Sequence, residues 1–483
     1  MHAFPWLTLL LATALLGWIW LFSQPNPLYR KHALYLGVLL NLLSFAFGLF
    51  FFIQTENLFI DPWLPFLGTD SQSIALYPFV TLIALSILHL SPKQYLQRAG
   101  MAQVFFVLAA TYLSFAAQTF WLFGVAWFLS GWPVFSSWLL RRKNGKVRGA
   151  KIFFVSSTLL GAYVCIALFM DLPLSLKTAS ALPQPLMQWL LPLSLFAIAI
   201  RMGLFPFHGW VVSSLLESKD ASLLIVLCPM SSAYALLRLR QLVPSYFLDT
   251  WFPWLGLLSA IYFFLVALGQ KEQFRTVLYL VLGQMSIVFM GLTNSHQESM
   301  TGALVLWLAL GFASSGILLM SWNLKARRGD IFLSQYNGLV HTSPFLASSY
   351  FLFGMGLIGL PGTLTFVAED LICQGMLVHE TTMAVLFVLV TALGAIIFLR
   401  LFALVFLGTT HTKPCADLER SKRVINLLLV LALFLPGVMP YPVVTIPGNF
   451  FPQNGKHKLQ SNRRDKPHSI NTHSLPKKRL YPG

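Results

Sequence analysis

The run Ala384-Val385-Leu386-Phe387-Val388-Leu389-Val390-Thr391-Ala392-Leu393-Gly394-Ala395-Ile396-Ile397-Phe398-Leu399-Arg400-Leu401-Phe402-Ala403-Leu404-Val405-Phe406 decides the fold class. Its 23 residues contain one charge. As an α-helix it would be about 34 Å long, enough to cross a hydrocarbon core of about 30 Å. A barrel strand would alternate apolar and polar side chains, and this run does not. Lipid leaves only helices or closed barrels as spanning structures, because every backbone donor and acceptor must be paired internally. Comparable runs recur along the chain, for example Ile152–Met170. Of the 483 residues, 57% are hydrophobic and only 10% charged. Soluble domains carry about 25% charged residues, so this chain needs lipid as its solvent. The reading is an all-α integral membrane protein.

Apolar segments predict about 14 transmembrane helices: 3–22, 32–53, 75–91, 101–118, 120–140, 152–171, 186–205, 220–241, 253–269, 274–292, 299–322, 344–378, 382–408 and 423–443. The chain divides into 1–100, 101–241, 253–408, a loop with the last helix over 409–450, and a basic polar tail over 451–483 that reads as disordered. The N-terminal stretch has no basic region before it and reads as a first spanning helix. Two segments carry helix breakers. Pro206 follows the seventh helix, and Gly359-Leu360-Pro361-Gly362 interrupts the twelfth. Proline removes a backbone donor and glycine frees the turn, so both helices should be broken.

The net charge of +17 raises nucleic acid as a partner, but its distribution argues against it. Loops after odd-numbered helices hold 20 Lys and Arg, and loops after even-numbered helices hold 3, Lys177, Arg238 and Arg240. That alternation is the positive-inside pattern and puts both termini on the outer face of a bacterial cytoplasmic (inner) membrane. The four cysteines show no metal or redox spacing, and three of them, Cys165, Cys228 and Cys373, read as apolar core.

Within the predicted helices stand Arg201, Arg400 and the acidic pair Glu369-Asp370, with no other Asp, Glu, Lys or Arg placed well inside. A charge at the bilayer centre costs about 2.5–3.5 kcal/mol on insertion scales, so each is a candidate for an ion or proton pathway. Arg400 also reads as a snorkelling side chain or one bonded to a carbonyl. Asp370 also reads as a cap for the second half of the twelfth helix. Arg201 and Glu369 lie close to the two breaks, where half-helix ends offer unpaired groups to ions. His208 sits at the first break and reads either as a proton carrier or as a structural histidine bonded to a freed carbonyl. Trp210 reads as an interface anchor.

The segment from Ile198 through Arg201, Pro206 and His208 to Trp210 resembles the seventh-helix motif of the antiporter-like subunits of respiratory complex I. Those subunits have relatives in Mrp sodium/proton antiporters, membrane hydrogenases and inorganic-carbon-accumulating complexes. Ala233–Arg238 resembles the end of the family's eighth helix. Leu310–Gly316 and Gly359–Glu369 are similar to the M-type subunit. The resemblance implies an inverted repeat of helices 4–8 and 9–13, each holding a half-channel. It puts Arg201 where the family has a lysine and Glu369 where the M-type has its terminal glutamate. It implies a proton- or cation-translocating subunit in a multisubunit complex, NADH-quinone oxidoreductase-like, with other membrane subunits and a soluble or peripheral catalytic subunit as partners.

The departures fall in both halves, most of them in the first. Phe128 follows Trp127 where the family has a glutamate, Met230 stands near its eighth-helix lysine, and Leu310 at its axial histidine. The Pro-Thr-Pro stretch after the seventh helix is Ser218-Lys219-Asp220 here. Arginine stays charged where lysine can release its proton, so Arg201 is a field source or anion ligand rather than a relay, and it needs another counter-charge. Hydroxyls of Ser314, Ser315, Thr363 and Thr365 would substitute for the lost groups. Two further readings stay open: a degenerate scaffold that does not pump, and a subunit of a carbon dioxide or bicarbonate uptake complex, which Trp210–Leu215 resembles. The chain has no nucleotide-binding glycine motif, iron–sulfur cysteine cluster or zinc signature, so no cofactor, metal or catalytic residue is assigned to it.

Overall fold

The computed structural model describes residues 4–23, 29–53, 58–135, 152, 154–165, 184–218, 220–228, 230–242, 248, 251–377, 380–409 and 417–440. The basic loop 141–151, Lys177, Lys219, Cys415 and the tail 451–483 lie outside the described residues.

The N-terminal third holds helices α1 (Trp6–Ser23), α2 (Tyr29–Ile53), α3 (Ser71–Ile74), α4 (Leu76–Leu90), α5 (Arg98–Ala116) and α6 (Phe120–Ser130). The middle holds α7 (Phe154–Cys165), α8 (Gln184–Met202), α9 (Gly209–Ser218), α10 (Leu224–Leu227) and α11 (Ser231–Leu242). Then come α12 (Phe252–Gly269), α13 (Gln273–Thr293), α14 (Gln297–Arg328), α15 (Pro344–Leu357), α16 (Leu364–Leu377), α17 (Thr381–Phe406) and α18 (Arg420–Val438). Among the described residues, 10 helices are long and apolar enough to cross a membrane. The only sheet among them is a hairpin of β1 (Leu58–Ile60) and β2 (Gly68–Asp70), paired antiparallel with Phe59 opposite Thr69. Its buried Asp61 accepts from Thr8 N (2.9 Å) and Thr8 Oγ1 (2.7 Å). That pairs a backbone donor in the first turn of α1 and ties the hairpin to that helix.

Burial sorts the helices. α13 and α14 are buried nearly all round, as is α4. By contrast α2, α17 and α18 turn Leu42, Phe45, Leu389, Ile396, Leu431 and Leu435 outward. A helix apolar on every side belongs either in a core or against lipid, and both kinds are here. Small residues bring the central helices close. A Cβ at Gly302 of α14 would stand 2.7 Å from the Ala368 carbonyl oxygen and 2.8 Å from Ile372 N on α16. Both are backbone atoms and cannot rotate aside, which is the close approach that small residues allow in membranes. Gly302→Leu should therefore cost about 1–3 kcal/mol by overpacking. A lower thermal midpoint for the purified protein checks this, and an unchanged midpoint contradicts it.

Both expected breaks are present. α8 ends at Met202 and α9 starts at Gly209, across Gly203 (φ +73°) and Pro206. α15 ends at Leu357 and α16 starts at Leu364, across Gly359 (φ +68°) and Gly362 (φ +94°). A third break was not expected. The segment read as one helix over 220–241 is a 3₁₀ turn (Ala221–Leu223), then α10, then α11, with Met230 at φ +45° between them.

Candidate functional site

At the second break the chain's freed carbonyls find hydroxyls. Thr363 Oγ1 donates to Leu360 O (2.7 Å) and Thr365 Oγ1 to Gly356 O (2.5 Å). Ser314 and Ser315 likewise donate to Gly311 O (3.4 Å) and Phe312 O (3.0 Å). These four hydroxyls serve the backbone first.

One turn into α16, Glu369 turns back onto the break. Its carboxylate lies on Gly359: a Cβ there would stand 2.3 Å from Oε2. The break thus supplies both a left-handed turn and the space that the carboxylate fills. From α13, Gln284 Nε2 donates to Glu369 Oε1 (3.2 Å). Gln284 is buried, and its own Oε1 has no hydrogen-bond partner among the described residues. No Lys or Arg among the described residues pairs with Glu369. An ionised carboxylate only accepts, whereas a protonated one also donates. A carboxamide offers both a donor and an acceptor, so Gln284 can satisfy Glu369 in either state.

Arg201 is held differently. It is 4% exposed in the last turn of α8. Nη1 donates to Trp127 O (2.7 Å) and Nη2 to Ser130 Oγ, both on α6. The guanidinium lies 4.1 Å from the Trp127 ring centroid and 5.6 Å from that of Phe154. The expected counter-charge is not found among the described residues. A carbonyl, a hydroxyl and two ring faces do that work instead.

The remaining candidates do not gather around either group. His208, half-buried, sits among Phe263, Tyr262 and Tyr279 with centroids 5.0, 5.5 and 6.0 Å away. Its Nδ1 has no hydrogen-bond partner among the described residues, so it does not bind a freed carbonyl. Asp370 is exposed, accepts from Gln374 Nε2 (2.7 Å), and lies in mid-helix rather than at the start of α16, so it is not a cap. Arg400 is exposed and donates to Leu268 O (3.2 Å). Trp210 is not an interface anchor. It is 3% exposed, and its Nε1 donates to Ile200 O (2.7 Å), clamping α9 to α8 across the first break. Cys165 and Cys228 are buried, whereas Cys373 is half-buried on α16.

Besides Asp61 of the hairpin, a second buried charge escaped the sequence reading. Arg238, counted there as a loop residue, is 3% exposed within α11. Its Nη2 lies 2.8 Å from Asp70 Oδ2, and its Nε donates to Tyr234 Oη (2.9 Å) one turn earlier. Asp70 caps α3, accepting from Ser73 N. The available signal was the i, i+4 pair Tyr234 and Arg238 inside an apolar run. Among the described residues no group of three His, Cys, Asp or Glu side chains could hold a metal ion.

Compared with known proteins, residues 63–394 match the family described as NADH:quinone oxidoreductase/Mrp antiporter, transmembrane. Subunit M of NADH-quinone oxidoreductase from Mycobacterium tuberculosis is 26% identical over 259 residues, 52% of this chain. That match spans about half of the relative, 47% of its length. Chain 4 of NADH-ubiquinone oxidoreductase from Marchantia polymorpha is 25% identical, covering 83% of this chain and 87% of the relative. Among solved structures, a chain of respiratory complex I from Thermus thermophilus superposes with a TM-score of 0.81 at 23% identity, over 92% of this chain and 98% of that one. A chain of the Mrp complex from Dietzia sp. DQ12-45-1b gives 0.78 at 17% identity, over 92% and 96%. These last two likenesses concern the fold.

Proposed function

The chain belongs to the NADH:quinone oxidoreductase/Mrp antiporter transmembrane family, and from that membership we propose that it is a proton-translocating subunit of a multisubunit membrane complex whose working carboxylate is Glu369. The observation that carries this is the seat of Glu369. Among the described residues it is the one acid that folds back onto a helix break, with no cation beside it and a carboxamide partner suited to both proton states. Arg201 supports the division of labour. It keeps its charge, is satisfied by neutral groups, and acts as a fixed field source rather than a relay. We propose further that the partners are other membrane subunits together with a peripheral catalytic subunit. The basic loops would face the cytoplasm of a bacterial inner membrane, with both termini outside.

The test is proton flux through the native complex in proteoliposomes under an imposed gradient. Wild type conducts and Glu369→Gln does not. Arg201→Lys keeps measurable flux, because it preserves the charge while losing the planar stacking on Trp127. If Arg201→Lys stops flux as completely as Glu369→Gln, the division of labour is wrong. If wild type conducts no protons, the scaffold reading replaces this one.

A further inference from the structure

We propose that α4 carries a hydrated polar path for protons, running from the hairpin face to mid-membrane through Asp70, Ser73, Tyr77, Tyr112, Thr81 and Ser44. It deepens the translocation reading above and rests on it.

The residues follow helical spacing. Ser73, Tyr77 and Thr81 are four apart, so they stand one above another on a single face. From Ser73 to Thr81 the rise is about 12 Å, roughly half of a spanning helix. At the hairpin end, Asp70 Oδ1 accepts from Ser73 Oγ (2.8 Å), and Ser73 Oγ is 2.7 Å from Thr69 Oγ1. At the inner end, Thr81 Oγ1 is 2.8 Å from Ser44 Oγ on α2, and Ser44 donates to Asn41 O (2.8 Å). Between the two ends stand Tyr77 and Tyr112, with ring centroids 5.6 Å apart. Both are buried, and among the described residues neither hydroxyl makes a well-aligned hydrogen bond. Thr69 stands close to the first and Thr81 close to the second, near enough for a weak, poorly aligned contact that leaves room for a bridging water. Asn41 Nδ2, at the far end, also lacks a partner among the described residues.

Two buried phenols without a well-aligned partner and an unpaired Asn41 Nδ2 among the described residues form one file, continuous with hydrogen-bonded hydroxyls at both ends, which a purely structural role does not require. Buried polar groups are paired, and where protein offers no partner internal water does so. A hydroxyl accepts one proton on a lone pair and releases another, so phenols, threonine and bridging waters pass a proton without net change in any of them. The Asp70–Arg238 pair at the mouth is neutral overall, so it adds little electrostatic barrier. The opposite face of α4, with Phe79 and Ile83, packs on α14. A Cβ at Gly311 would touch Phe79 and Ile83 of α4, and the same α14 packs on the helix of Glu369 at Gly302.

The test uses the native complex in proteoliposomes with Tyr77→Phe combined with Tyr112→Phe. The change removes only two oxygens and keeps both rings. Flux should fall by about 10²-fold, the lower range for loss of a positioned proton-transfer group. Thr81→Val, a second route to the same interruption, should act in the same direction. Wild-type flux in both variants, with Glu369→Gln still inactive, overturns this path and leaves the proposed function standing. Wild-type flux in Glu369→Gln overturns both. If the double variant does not assemble, Thr81→Val alone decides.

Discussion

Glu369→Gln is expected to lower proton flux through the reconstituted complex by about 10²-fold or more, the loss typical of removing a positioned acid–base group. The substitution is nearly isosteric and still accepts from Gln284 Nε2, so the hydrogen bond at 3.2 Å and the packing on Gly359 survive. What disappears is the exchangeable proton. The break between α15 and α16 should stay intact, and the thermal midpoint of the complex should not fall. Flux and thermal unfolding measured on the same preparation separate the two effects. Lost flux with lost stability would assign Glu369 a structural role. Unchanged flux would remove it from the pathway.

Asp70→Ala is expected to destabilise the protein by about 3–5 kcal/mol, the usual cost of leaving one partner of a buried ion pair behind. Arg238 is 3% exposed, and water cannot readily take the place of the lost carboxylate. The substitution also removes the acceptor for Ser73 N and Ser73 Oγ at the start of α3. A double change, Asp70→Ala with Arg238→Leu, should cost less than the sum of the single changes, because the orphaned cation is gone. Denaturation of the purified protein measures all four corners of that cycle. Additive costs would mean that the 2.8 Å contact contributes no coupling.

Local chemistry explains what was legible in the sequence. Gly203, Pro206, Gly359 and Gly362 act on their own backbone, so the breaks beside Arg201 and Glu369 could be read residue by residue. Continuous apolar runs likewise made the helical membrane fold readable, because lipid forbids the alternatives. The third break, near Met230, was not read although Pro229 stands beside it. Proline is tolerated within membrane helices, so it does not by itself end one.

What stayed hidden depends on partners far along the chain. Asp70 and Arg238 are 168 residues apart, and nothing local marks either as half of a pair. Arg238, two residues before Arg240, looked like part of a basic helix end. Trp210 carries the amphipathic signature of an interface residue. Only the geometry of the break brings its indole to the Ile200 carbonyl. The missing acid at Phe128 pointed to an uncompensated Arg201, and the sequence had no means of showing that the Trp127 carbonyl and ring would stand in for it.

The most direct measurement is infrared difference spectroscopy of the native complex as a proton gradient is imposed, on wild type and Glu369→Gln. If Glu369 carries the protons, wild type shows a carboxylic-acid carbonyl band that rises and falls with the gradient and shifts in D₂O, and Glu369→Gln lacks it. A band identical in both proteins, or none in either while wild type conducts, would contradict the account.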